Sequence, residues 1–133
     1  MNNNTINNDT ICRTILNLQE NYSPAGQPAC LFKAIDEAYK NLIGHMAITL
    51  FACNCRTGLV ERLYTGGQLT GHPPGGRKNM TDTPWGDKVL KQKQIFIIHT
   101  QKEFDRCFPL QKEDIAKNNC PSTLTYPVLY NGL

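Results

Sequence analysis

The sequence predicts an α+β fold in one domain. Stretches with helical periodicity are interspersed with apolar runs of strand length, in the order helix, helix, strand, strand, long loop, helix, strand, short helix, strand. The 133 residues are 40% hydrophobic and 19% charged, which is typical of a globular domain with one core. We expect an Asn-rich tail and N-terminal helix over residues 1–24 and the main domain over residues 25–133.

Composition and charge narrow the function classes. The net charge is only +3, and no dense basic block is interleaved with aromatic residues, so nucleic-acid binding is not expected. No apolar run approaches the roughly 20 residues that span a bilayer. The first ten residues, "MNNNTINNDT", lack the basic and apolar regions of a secretory signal. We therefore expect a cytoplasmic protein that does not bind membranes.

Two helices are predicted before the first strand. Asp9 is expected to cap a helix over about residues 10–20, and Pro28 suits the first turn of a second helix that Gly44 ends. The second helix carries one apolar stripe, and its polar residues are expected to face solvent. These polar residues are Lys33, Asp36, Glu37, Lys40 and Asn41.

The middle of the chain predicts two strands and a loop. "HMAITLFAC", residues 45–53, is nearly continuous in apolar character, which favours a central strand covered on both faces. "LVERLYT", residues 59–65, mixes apolar and charged positions, as an outer strand does. Residues 66–82 are rich in Gly and Pro without periodicity, and a loop of this length is often functional.

Thr83 and Pro84 are suited to the N-cap and first position of the helix that follows this loop. "IFII", residues 95–98, predicts a short buried strand. "TQKE", residues 100–103, is a capping box that opens a short helix.

The end of the chain predicts a helical turn and a strand. The helical turn is expected around residues 113–117. "STLTYPVLY", residues 122–130, predicts the last strand, with its apolar residues on one face. Asn131-Gly132 after it favours a hairpin turn.

The loop also contains a candidate anion site. Gly75 and Gly76 allow close approach of the backbone, Arg77 and Lys78 add positive charge, and a helix N-terminus follows. A phosphate or carboxylate could bind there. In the structural alternative, the glycines serve the turn and Arg77 pairs with Asp82.

Other candidate ligand contacts have structural alternatives as well. Trp85 could form the wall of a pocket for an aromatic ligand or belong to the core. His99 and Tyr126 could reach a pocket or serve the fold. The complete set of predicted ligand-binding residues is Arg77, Lys78, Thr81, Asp82, Trp85, His99 and Tyr126.

Two stretches carry a resemblance to a known family. "GGRKNMTDTPWG", residues 75–86, resembles a motif of small bacterial single-GAF proteins, and "STLTYPVLYNG", residues 122–132, resembles the GAF strand before the last hairpin turn. The resemblance covers roughly residues 25–133. It implies a PAS-related antiparallel sheet with helices mainly on one face and a ligand pocket on the other. It also implies a sensor or signalling module whose ligand is undefined.

The resemblance further implies a missing element. GAF chains continue past this turn with a strand, which lies inside the sheet beside the first strand, and then a terminal helix. We therefore expect a C-terminally truncated GAF-like domain. Its exposed strand edges could support a homodimer.

The six cysteines are Cys12, Cys30, Cys53, Cys55, Cys107 and Cys120. Without a secretory signal they are expected to be free thiols. Cys53 and Cys55 are two residues apart and share one face of a strand. The cysteines and the scattered histidines do not match the usual ligand spacings, so no metal site and no cofactor are expected.

Two look-alikes concern Cys107. Some GAF proteins reduce free methionine sulfoxide with a nucleophilic Cys where the loop enters its helix, but this chain has Pro84-Trp85-Gly86 there. That redox activity, with Cys107 and Cys120 as catalytic residues, is the alternative function. "DRCF", residues 105–108, resembles a short motif of bilin-binding GAF domains without its usual second Cys. The main expectation is a non-catalytic sensor or binding module. A purely structural dimerisation domain is a further alternative.

Overall fold

The computed structural model describes residues 7–22, 26–68, 72–108 and 122–129, and it confirms the α+β class. The predicted helical turn at 113–117, the Asn131-Gly132 hairpin and Cys120 lie outside the described residues. No helix within these four ranges combines the length and the apolar character needed to cross a membrane.

Two helices open the fold and pack on each other. Helix α1 spans Asn8–Asn21, and its cap is Asn7, whose side chain accepts a hydrogen bond from the Thr10 amide at 2.8 Å. The prediction that Asp9 caps this helix was wrong, because Asp9 lies inside the first turn. Helix α2 spans Pro28–Ile43 and ends as predicted at Gly44, which has φ 67°.

A three-stranded antiparallel sheet follows, in the order β1-β2-β3. Its strands are β1 (Ala47–Asn54), β2 (Leu59–Gly67) and β3 (Arg77–Asn79). Two predictions were wrong here. Strand β2, expected to be outer, is the middle strand, and β1, expected to be central, has no second strand partner among the described residues. The last four residues of β1 are exposed. Strand order depends on pairing between distant segments, which the apolar content of one segment does not encode.

Strand β3 lies inside the stretch predicted to be a loop. The backbone of Arg62 in β2 organises it, because its amide donates to the Gly76 carbonyl at 2.8 Å and its carbonyl accepts from the Gly75 amide at 2.7 Å. The Arg62 side chain also lies over the Phe51 ring, 6.0 Å from its centroid. The Gly-rich segment is therefore paired with β2 before β3 begins.

The helix predicted after the loop is present. Thr83 caps it by accepting a hydrogen bond from the Gly86 amide at 2.9 Å, and Gly86–Lys91 then form a π-helix. Next come β4 (Phe96–Ile98), α3 (Gln101–Cys107) and β5 (Thr123–Thr125), with β4 and β5 paired antiparallel as a second sheet. The Thr100 half of the capping box is also confirmed, since Thr100 accepts a hydrogen bond from the Glu103 amide at 3.2 Å, whereas the Glu103 carboxylate accepts from the His99 amide and not from that of Thr100.

The C-terminal strands are less regular and less buried than predicted. In β4 only Ile98 is buried, and Ile97 is 50% exposed. The last strand is limited to three residues, and residues 126–129 are not part of a strand. Val128 in this stretch is 88% exposed. Pro127 lacks an amide proton, which is consistent with the early end of the ladder.

Trp85 lies in the main core and joins the two sheets. The core cluster consists of Val60, Met80, Trp85, Val89 and Leu90. The Trp85 ring meets Phe51 of β1 edge-on, with centroids 6.4 Å apart, and its indole N–H donates to the Thr125 hydroxyl of β5 at 3.0 Å. Of the two interpretations of Trp85, the structure places it in the core.

The close approach of Gly86 to Met80 gives a first prediction. A Cβ at Gly86 would overlap the Met80 carbonyl oxygen, which is backbone and cannot move aside cheaply, so Gly86→Ala should destabilise the fold by about 3 kcal/mol. Gly44→Ala is the matched control, because it meets open space and only the positive φ opposes it, at about 1 kcal/mol. Urea unfolding of both variants measures the difference. An equal loss in the two would contradict the packing described for Gly86.

Candidate functional site

A hydrogen-bonded cluster of three side chains lies where α2, the start of β1 and the end of β2 meet. The Asp36 carboxylate uses both oxygens: Oδ1 lies 2.6 Å from His45 Nε2, and Oδ2 accepts from the Tyr64 hydroxyl at 2.8 Å. The Asp36 and His45 side chains are only 15% and 12% exposed. The prediction that Asp36 faces solvent was therefore wrong, because its carboxylate is turned toward partners on two other segments.

The local sequence brings these three groups together. Gly44 adopts the left-handed conformation that ends α2, so the chain turns and places His45 beside the helix. Gly66 in β2 leaves room for the Asp36 carboxylate, because a Cβ at this position would overlap it. The Tyr64 ring also contacts the Phe32 ring, with centroids 6.2 Å apart. The cluster thus depends on two glycines as well as on its three polar residues.

The cluster raises the pKa of its tyrosine. Burial, the hydrogen bond to Asp36 and the Asp36 charge together raise the pKa of Tyr64 to about 12. The Tyr64 hydroxyl is therefore a donor, not a phenolate, at neutral pH. His45 Nδ1 is buried and has no hydrogen-bond partner among the described residues. In the neutral tautomer whose Nε2–H donates to Asp36, Nδ1 carries a lone pair.

An open cavity of about 480 Å³ adjoins the cluster. Charges of both signs surround it, because two lysines and two carboxylates contribute to its walls. Its lining residues are Ala29, Lys33, Asp36, Glu37, Lys40, His45, Met46, Tyr64 and Gly67. Lys33 and Glu37 lie 4.0 Å apart on the exposed side of α2. The cavity thus combines a buried polar floor with a charged rim.

The residues predicted from the loop lie elsewhere. Arg77 and Lys78 are exposed on β3, and Arg77 pairs with Glu61 of β2 at 3.0 Å instead of Asp82. Thr81 donates its amide to the Asn79 side chain at 2.9 Å. Asp82 is exposed. The Gly75 amide donates to the Arg62 carbonyl, so it already has a partner. Anion binding at this loop stays a prediction.

The remaining predicted residues also lie outside the lining of this cavity. Trp85 is buried in the core, and His99 is exposed, with its backbone amide donating to Glu103 at 2.8 Å. Tyr126 is 63% exposed. Cys107 is half-buried at the end of α3. The structure therefore does not bring the sequence-predicted ligand residues together around the described cavity.

Sequence reasoning missed Asp36, His45 and Tyr64 as a group. The helical pattern of α2 assigned Asp36 to its polar face, which is correct for the helix alone. A carboxylate on a helix followed by Gly-His at its C-terminus is the available signal. It is weak, because Tyr64 joins only through the pairing of β1 with β2.

Comparison of the chain with models of known families, with curated proteins and with solved structures finds no match. Among residues 7–22, 26–68, 72–108 and 122–129, no group of three or more His, Cys, Asp and Glu side chains is arranged to hold a metal ion.

The raised pKa of Tyr64 gives a prediction for alkaline pH. The folded state holds the Tyr64 proton up to about pH 12, whereas the unfolded state releases it near 10, so this contribution to stability is complete below about pH 10 and is lost as pH rises through 12. The free energy of unfolding of the parent, relative to Tyr64→Phe, should therefore fall across that range.

Phenolate absorbance provides an independent measurement. Asp36→Asn should shift the highest phenol titration toward lower pH, because it removes the carboxylate that favours the neutral phenol. Tyr39→Phe removes an exposed tyrosine of the same helix and serves as the control, which should leave that titration in place. If the titration is unchanged in Asp36→Asn, the coupling between Asp36 and Tyr64 is refuted.

Proposed function

We propose that this chain is a non-catalytic small-molecule-binding module of the sensory kind that the GAF resemblance implies, and that its ligand occupies the cavity beside Asp36, His45 and Tyr64. The observation that carries the proposal is that the hydrogen-bonded side chains of Asp36, His45 and Tyr64 all belong to residues that line that cavity. A few convergent polar side chains in the wall of a cavity are the usual means of fixing the orientation of a bound small molecule.

The cavity limits the class of ligand. A volume of about 480 Å³ is in the range of pockets for small metabolites. Lys33 and Lys40 on the rim favour an anionic group, such as the carboxylate or phosphate expected from the sequence. The Glu37 carboxylate, which also belongs to the lining, favours a donor elsewhere on the ligand. The ligand is therefore a small anionic molecule that also carries an N–H or O–H group.

The cellular location that we propose is the cytoplasm, as expected from the sequence. A sensory module of this class acts in the cytoplasm on a diffusible metabolite. Its output passes through a change in stability or association of the domain, since the proposal assigns no reaction to the cavity. Asp36 holds His45, Tyr64 holds Asp36, and neither residue reacts in this proposal.

Native mass spectrometry and thermal unfolding test the binding function. Freshly purified protein should show a co-purified mass, or it should be stabilised by one of three probes: inorganic phosphate, succinate or adenosine monophosphate. Saturation to 100 times the Kd corresponds to about 2.7 kcal/mol. His45→Phe and the double variant Lys33→Ala with Lys40→Ala should abolish this stabilisation, because they remove a polar group of the cavity lining and the rim charge.

The double variant Arg77→Ala with Lys78→Ala is the matched control, since it also removes two positive charges, but from β3. It should keep the stabilisation. If the stabilisation is lost in this variant alone, the ligand binds beside β3 and the cavity assignment is refuted. The absence of both a co-purified mass and any stabilisation by the three probes would refute the binding function.

We also propose that β1 mediates homodimer formation, because one of its edges has no strand partner in the described part of the chain. Such an edge presents backbone donors and acceptors that a second copy can pair with. Exposed apolar side chains, among them Phe51 at 42% and Val128 at 88%, favour association as well.

Sedimentation velocity at several concentrations tests the homodimer. The parent should shift toward dimer as concentration rises, and Ala52→Lys, which places a charge on the exposed part of β1, should remain monomeric. Asn41→Lys adds the same charge to an exposed position of α2 and should dimerise like the parent. A parent that is monomeric throughout would overturn the proposal.

A further inference from the structure

Two cysteines and a lysine meet at the end of the β1–β2 hairpin that is remote from the cavity. Lys93 Nζ lies 2.8 Å from Cys55 Sγ, although 38 residues separate them in sequence. Cys53, two residues before Cys55, is the last but one residue of β1. Cys53 and Cys55 are both exposed free thiols. None of these residues lines the cavity, so the cluster is independent of the proposed ligand site.

Local structure fixes Cys55 in place. It is the first residue of the turn that joins β1 to β2, and the Gly58 amide closes this turn by donating to the Asn54 carbonyl at 2.8 Å. The Asn54 side chain accepts from the amides of Arg56 and Thr57 at 3.0 and 3.1 Å. The thiol therefore projects from an ordered turn.

Lys93 reaches Cys55 through an unusual backbone conformation. Its φ is 57°, the only positive value at a non-glycine residue in the described ranges. Such conformations are disfavoured for residues with a Cβ and are often found at functional sites. The Gln94 amide, which donates to the Lys88 carbonyl at 3.0 Å, fixes the backbone on the far side of Lys93. The turn after the π-helix thus directs a cation to the thiol.

We propose that Cys55, Lys93 and Cys53 form a peroxide-reactive site, in which Cys55 is oxidised by hydrogen peroxide and Cys53 then forms a disulfide with it. A thiolate, not a thiol, attacks peroxide, and a neighbouring cation favours the thiolate. Lys93 is a positioning residue that acts through Cys55, and Cys55 is the residue that reacts.

The first step is a two-electron oxidation of Cys55. Its thiolate attacks one oxygen of hydrogen peroxide, the O–O bond breaks, an S–O bond forms, and hydroxide leaves and takes up a proton to become water. The products are the sulfenic acid of Cys55 and one water molecule. Peroxide is the oxidant and is reduced to the level of water.

In the second step, the Cys53 thiolate attacks the Cys55 sulfur. The S–O bond breaks, the S–S bond forms, and the leaving hydroxide combines with the proton that Cys53 released to give a second water molecule. Two residues in extended backbone are about 6.6 Å apart between Cα atoms, near the upper limit for a disulfide. Cys55 lies in the turn, where the chain is no longer fully extended.

The environment of Cys53 sets the order of the two steps. Partial burial of its sulfur and the charge of Cys55 raise the pKa of Cys53, while Lys93 lowers it, even though the residue as a whole is exposed. The raised pKa favours the thiol form of Cys53 before Cys55 is oxidised. Conversion of Cys55 to the neutral sulfenic acid removes that repulsion, and the attraction of Lys93 remains.

Timed oxidation of the full chain tests this site. Reduced protein is exposed to a limited amount of hydrogen peroxide, its remaining thiols are alkylated at intervals, and each cysteine is quantified by peptide mass spectrometry. Cys55 should be lost about tenfold faster than Cys12, an exposed cysteine on α1. The product should be a Cys53–Cys55 disulfide that dithiothreitol reverses. In Cys53→Ser, a sulfenic acid on Cys55 should accumulate and be trapped by dimedone.

Variants of Lys93 test whether its charge activates Cys55 or only stabilises the fold. Lys93→Asn removes the charge with a residue that tolerates positive φ, and it should slow Cys55 oxidation about tenfold without changing thermal unfolding. Lys93→Arg should restore the parent rate, and Lys91→Asn, which removes a lysine paired with Asp87, should not change it. Equal reactivity of Cys55 and Cys12, an unchanged rate in Lys93→Asn, or a disulfide from Cys55 to another cysteine would overturn the proposal.

Discussion

The packing of Trp85 is the interaction on which the described fold depends most. Its ring belongs to the buried cluster under β2, meets Phe51 of β1 edge-on, and donates a hydrogen bond to Thr125 of β5. Among the described residues the two sheets share no backbone hydrogen bonds, and side-chain contacts such as these join them. Gly86, directly after Trp85, keeps the helix start close enough to Met80 for this packing, because any side chain there would overlap backbone.

The β1–β2 hairpin connects the two chemically distinctive regions of the molecule. Its open end, where Ala47 pairs with Gly67, adjoins the Asp36–His45–Tyr64 cluster, and its turn carries Cys55 beside Lys93. Eight residues of strand separate these ends by about 25 Å. At this distance direct electrostatic effects are largely screened, so ligand binding at one end and oxidation at the other are expected to be independent.

Each region holds an ionisable side chain in contact with another polar group: Asp36 contacts His45 and Tyr64, and Lys93 contacts Cys55. Asp36 receives a hydrogen bond from Tyr64 and holds His45, whose Nδ1 is buried and has no partner in the part of the chain that the structure describes. Lys93 occupies a positive-φ position and contacts a thiol. Unsatisfied polar atoms and backbone strain both lower the stability of the folded state. Residues that carry them are therefore candidates for a functional role.

The sequence by itself determined the local structure: α2 with its end at Gly44, the Thr83 cap and the Thr100 cap all follow from short-range rules. It also determined the α+β class. Only the tertiary structure decided that β2 is the middle strand, that Arg77 pairs with Glu61, and that Asp36 is turned inward. The physical reason is range: caps and periodicity act within a few residues, whereas the Asp36–Tyr64 and Lys93–Cys55 contacts span 28 and 38 residues and exist only after the strands have paired.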